Sequence, residues 1–144
     1  LASPYVLTVA SLIPLGISMG IVEEYFPQWK KAYKWFALIG FLAIAISAVG
    51  GFDTLKKISV PLFHGVAGLV IFLGPFLAKS APKGFWWVGI GGVLIGLGGI
   101  ALAFISVGAQ LLFFSPAFVM MILTPLLLLM TIAFTIGFIK DING

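Results

Sequence analysis

The chain has 144 residues, 62% of them apolar and 8% charged, with a mean hydropathy of +1.25. Soluble domains carry about half apolar and a quarter charged residues, and a chain this short cannot hide so much apolar surface from water, so a water-soluble globule is excluded. The net charge of +4 comes from eight lysines and no arginine; they stand singly or in pairs between hydrophobic runs, as charges at head-group depth do, so nucleic acid is not an expected partner. The lack of cysteine removes thiol catalysis, disulfides and thiolate metal sites.

Each membrane crossing takes about 20 apolar residues. The chain therefore reads as an all-α integral membrane protein, one domain over residues 1–144, with spans at 5–22, 35–52, 60–78, 84–106 and 116–139. A four-helix arrangement with a buried re-entrant piece is the alternative. The chain begins at Leu1 and not at Met, which reads as a segment removed from its front.

The first span holds Pro14, expected to bend it, and the pair Gly16 and Gly20 in GxxxG spacing. It ends at Glu23 and Glu24. The linker that follows mixes Tyr25, Phe26, Trp29, Tyr33 and Trp35 with three lysines, as an aromatic belt does. Part of it is expected to lie flat as an interfacial helix. A stripe of small residues, Gly40, Ala43, Ser47 and Gly50, runs along the second span. A glycine-led turn then precedes a third span, with Ser59 expected as its N-cap and Pro61 in its first turn.

The fourth span has no charged residue and presents Gly89, Gly92, Gly96, Gly99 and Ala103 at helical spacing. Such a face lets another backbone approach closely. Ser115 and Pro116 read as N-cap and first-turn proline of the fifth span, with Pro125 inside it. Counting lysines on alternate sides places the N-terminus outside and the C-terminus in the cytoplasm.

Few residues offer chemistry. His64 is the only histidine. It reads either as an axial ligand to haem or a chlorophyll-type pigment, or as a histidine that hydrogen-bonds a neighbour near the start of its span. A bis-histidine site would take two copies of the chain. Glu23 and Glu24 read as an ion or proton relay, or more simply as solvated carboxylates balancing Lys30 and Lys31; adjacent residues point about 100° apart, so only one of the two can face a bundle interior. Asp53 belongs to a turn and Asp141 to a terminus. No metal site and no catalytic residue emerges.

The sequence Gly50-Gly51-Phe52-Asp53, followed by Phe63-His64-Gly65, resembles a prokaryotic multi-pass membrane family of unknown function. In that family a span ends in a Gly-Phe turn with an acidic residue, and a histidine opens the next. The resemblance covers about 36–139 and departs in having no proline beside Asp53 and no first helix. It implies a helical bundle and no particular activity.

Three functional readings follow. The first is an accessory or structural transmembrane subunit of a larger, energy-converting membrane complex, not catalytic by itself, with bound lipid and other transmembrane subunits as partners. The second is a homo-oligomeric channel or carrier for a small solute, built from copies of the chain. The third is a haem or pigment binder through His64.

Overall fold

The computed structural model describes residues 3–106 and 115–142, and within these the side chains of all but 4, 98–106, 116 and 120. The described residues form five α-helices and no strand: α1 (Pro4–Tyr25), α2 (Lys30–Val49), α3 (Asp53–Leu77), α4 (Trp86–Ser106) and α5 (Pro116–Ile142), with a single 3₁₀ turn at Pro27–Trp29. Two compact units result, Leu1–Ser80 and Ala81–Gly144.

In the first unit α1, α2 and α3 each touch the other two. Leu15, Ala37 and Ala67 meet at the centre, with Met19 and Phe41 packed around them. Small residues set how close the helices come. The Phe63 ring of α3 occupies the space a Cβ on Gly40 of α2 would fill, and it packs at a tilt against Phe36, ring centroids 4.9 Å apart. Gly74 of α3 admits Ile21 of α1, whose Cγ2 would lie 2.8 Å from an added Cβ. That contact puts the C-terminal ends of α1 and α3 at one end of the unit, together with the start of α2.

Two helix starts differ from the sequence expectation. α2 begins at Lys30, not near Trp35, so Lys30, Lys31 and Lys34 lie within the helix; long lysine stems let a helix run past an apolar span while the ammonium groups stay in water. The expected flat interfacial helix is only the 3₁₀ turn, closed by the Trp29 N–H on the Phe26 carbonyl at 2.9 Å. α3 begins at Asp53, seven residues before the expected start at 60. The Asp53 carboxylate suits a helix N-terminus and accepts a hydrogen bond from Lys56 Nζ at 2.7 Å. Ser59 is therefore not a cap, and both Pro61 and His64 lie inside the helix.

The α2–α3 turn closes with the Gly50 N–H on the Ile46 carbonyl (2.8 Å) and the Phe52 N–H on the Ser47 carbonyl (3.0 Å), while Gly51 adopts φ +72°. This is the Schellman arrangement, with glycine at the left-handed position. No described atom lies within 4 Å of a Cβ added at Gly51, so Gly51→Ala should cost only its backbone strain. The expected loss is about 1–2 kcal/mol, read as a lower unfolding midpoint in mixed micelles.

In the second unit α4 and α5 form an antiparallel pair. Gly84 meets Lys140, Val88 meets Gly137, and the Phe134 ring covers Gly91, so the two chains run past each other in opposite directions. Gly89 and Gly92 are buried, whereas Gly96 has no described atom near its missing Cβ. The α5-facing seam thus runs through Gly91, which the sequence stripe did not contain. Gly99 and Ala103 lie outside the described side chains. The Ser115 hydroxyl accepts a hydrogen bond from the Phe118 N–H at 3.2 Å, the expected N-cap.

The outer surfaces are apolar. Val9, Ile13, Leu69 and Leu128 are all more than half exposed, a density of exposed large side chains that a water-facing monomer does not carry. Four helices meet the length and hydropathy of a membrane crossing: 5–25, 27–49, 53–77 and 117–142. The 21-residue α4, at about 1.5 Å per residue, has the length for a fifth.

Candidate functional site

The polar groups of the first unit fall into three places. At the end shared by the C-terminus of α1 and the start of α2, Glu23 meets two ammonium groups. It pairs with Lys30 and accepts a hydrogen bond from Lys34 Nζ at 3.2 Å. Lys30 and Lys34 are one helical turn apart and share a face, whereas Lys31 points about 100° away from Lys30. The partners are therefore Lys30 and Lys34, not the Lys30 and Lys31 the sequence order suggested. Both lysine side chains and Glu23 remain about 40% exposed or more, so the cluster is worth little in stability. Glu24 is exposed on the next position of α1.

In the interior, hydroxyls turn back on their own helices. Ser18 is fully buried and donates to the Pro14 carbonyl at 2.6 Å. Ser47 donates to the Ile44 carbonyl at 3.0 Å, and its oxygen lies 3.5 Å from that of Ser59 on α3. Either hydroxyl can donate in that interhelical contact. The buried Tyr33 hydroxyl lies beside Ser18. Sequence reading placed Ser59 at a helix end and missed this pair; its twelve-residue separation from Ser47 gives no periodic signal.

The third place is the outer face of α3. His64 stands near the middle of this helix and is exposed, flanked on the same face by Pro61, Gly65 and Gly68. No described atom lies within 4 Å of a Cβ added at Gly65 or Gly68. On α1, Gly16 and Gly20 are likewise exposed and open. Not all small-residue stripes are used alike: Gly40 and Ser47 are buried, Ala43 is half-buried, and Gly50 belongs to the α2 C-cap. Asp53 is engaged with Lys56 at the start of α3. Among the described residues no three His, Cys, Asp or Glu side chains gather where they could hold a metal ion.

An apolar groove of about 480 Å³ runs along the same unit, between the end of α1, the 3₁₀ turn, the start of α2 and the second half of α3. Val22, Phe26, Trp29, Phe36, Leu73 and Leu77 line it, and no charged residue does.

These features define an all-helical protein with several helices long and apolar enough to cross a membrane, carrying outward small-residue faces and one apolar groove. No protein family, curated protein or solved structure matches the chain. The resemblance carried by Gly50–Asp53 and Phe63–Gly65 therefore assigns no family, and His64 lies eleven residues into α3 and does not open it.

Proposed function

We propose that the chain is an accessory transmembrane subunit of a larger membrane complex, embedded in a prokaryotic plasma membrane with its N-terminus outside and its C-terminus in the cytoplasm. The observation that carries this reading is the open glycine face of α1. Gly16 and Gly20 have the spacing that lets helices pack at close range, and within the described residues nothing fills it. The open face at Gly65 and Gly68 adds a second place on another helix. Packing in a bilayer depends on van der Waals fit, and a smooth exposed face is surface on which a neighbouring helix gains that fit. Orientation follows from the lysines: Lys30, Lys31, Lys34 and Lys79 lie at one end of the first unit and Lys56 and Lys57 at the other, so the richer end faces the cytoplasm.

Because the chain is free of cysteine, Gly16→Cys gives a single attachment point for a photo-crosslinker in native membranes. A subunit yields one defined adduct with a different polypeptide. An adduct of twice the chain's own mass would instead favour the homo-oligomeric channel. Adducts with lipid alone would contradict both.

The exposed position of His64 within α3 supports the cofactor reading as the second one. An imidazole inside a spanning helix is a costly group that function retains. A haem or pigment binder shows a visible absorption band that His64→Ala abolishes; a colourless protein isolated from its own membranes contradicts that reading.

A further inference from the structure

The apolar groove of the first unit has the length, depth and charge setting of a lipid site. Along α3 it extends from Val66 to Leu77, about 17 Å at the helical rise per residue. One leaflet of a bilayer has a hydrocarbon depth of about 15 Å, half of the roughly 30 Å core. The groove thus runs the depth of a single leaflet. At its shallow end stand Phe26, Trp29 and Leu77, and Trp29 is 63% exposed, as an indole at head-group level is.

The charges sit at that same end. Lys30 directly follows Trp29, and Lys79 follows Leu77 by two residues. Glu23 is shared between Lys30 and Lys34, so one carboxylate faces two ammonium groups and the cluster stays positive. With Lys31 and Lys79 the end carries four lysines against Glu23 and Glu24. A positive rim above an uncharged, leaflet-deep groove is complementary to a molecule with an anionic head and an apolar tail.

We propose that this groove is a specific site for an anionic phospholipid of the cytoplasmic leaflet. One acyl chain lies between α1, α2 and α3 against Phe36, Leu73 and Val22, and the phosphate rests between Lys30 and Lys79. The proposal rests on the membrane location of the chain and not on its having protein partners.

The test is native mass spectrometry of the delipidated protein in detergent. It is offered phosphatidylglycerol and phosphatidylcholine with identical acyl chains. The expected result is one retained phosphatidylglycerol per chain in preference to phosphatidylcholine. Lys30→Gln and Lys79→Gln each reduce that preference by roughly fivefold, the worth of one basic residue beside an anionic surface. The pair Lys56→Gln and Lys57→Gln removes twice the charge of either single variant at the opposite end and leaves the preference unchanged. Leu73→Trp, at a position already 42% exposed, fills the groove and abolishes retention of either lipid. Equal retention of the two lipids overturns the proposal, as does a preference insensitive to Lys30 and Lys79. So does equal sensitivity to the Lys56 and Lys57 pair, and so does full retention in Leu73→Trp.

Discussion

Gly40→Leu should destabilise the three-helix unit by about 2–4 kcal/mol. The space beside Gly40 is taken by the Phe63 ring, and the three heavy atoms nearest to an added Cβ all belong to that ring. A leucine there forces the ring out, and overpacking of this kind costs about 1–3 kcal/mol. The displaced ring also leaves Phe36, against which it packs at a tilt with centroids 4.9 Å apart. Aromatic contacts of that kind contribute about 0.5–1.5 kcal/mol beyond burial. The check is the unfolding midpoint in mixed micelles, with a double-mutant cycle to assign the cause. In a Phe63→Ala background the added leucine has room, and its cost should fall by more than half. An equal cost in both backgrounds would mean that Gly40 is needed for something other than seating Phe63.

Gly16→Leu together with Gly20→Leu should do the reverse: leave the isolated chain as stable as before and strip its partners away. No described atom lies within 4 Å of the missing Cβ at either position, and outward substitutions free of contacts usually change stability by no more than about 0.5 kcal/mol. A helix seated on that face, in contrast, meets two leucine side chains where it met backbone. Loss of close approach along a glycine face removes the van der Waals contact that drives association in lipid. The measurement pairs the unfolding midpoint with the particle's migration after gentle extraction. An unchanged midpoint with a smaller particle supports a docking face; an unchanged midpoint with unchanged migration places the partners elsewhere.

Hydropathy alone carried the five helices, because a span 20 residues long with no charge has few alternatives in a chain this apolar. Their ends were harder to read. The stretch 53–57 looked like part of a polar turn because it holds Asp53, Thr54, Lys56 and Lys57, yet those residues continue α3 outward, with Asp53 and Lys56 paired to each other. Charge content marks the depth at which a helix leaves an apolar layer, not the residue at which the helix stops. Which side of α4 meets α5 was hidden for a different reason. In a run with glycines at 89, 91, 92 and 96, every face is smooth, and only the position of Phe134 on α5 selects Gly91. The connection at 107–114 lies outside the described residues.

The candidate sites were legible only as residue types. The sequence singles out His64, but that it stands exposed beside two open glycines depends on which face of α3 turns toward α1 and α2. Glu23 was recognised as a carboxylate at a helix end, while its choice of Lys34 over Lys31 follows from α2 beginning at Lys30. The apolar groove was legible only in the aromatic belt at Phe26, Trp29 and Tyr33, since most of the rest of its lining comes from a distant stretch of α3 that the fold brings beside it.

The subunit reading is tested most directly by the native mass of the particle that carries this chain, extracted gently from its source membranes and resolved with its companions identified. A subunit is expected in a large particle with other defined polypeptides in fixed proportion. A particle composed of this chain and lipid alone would contradict it.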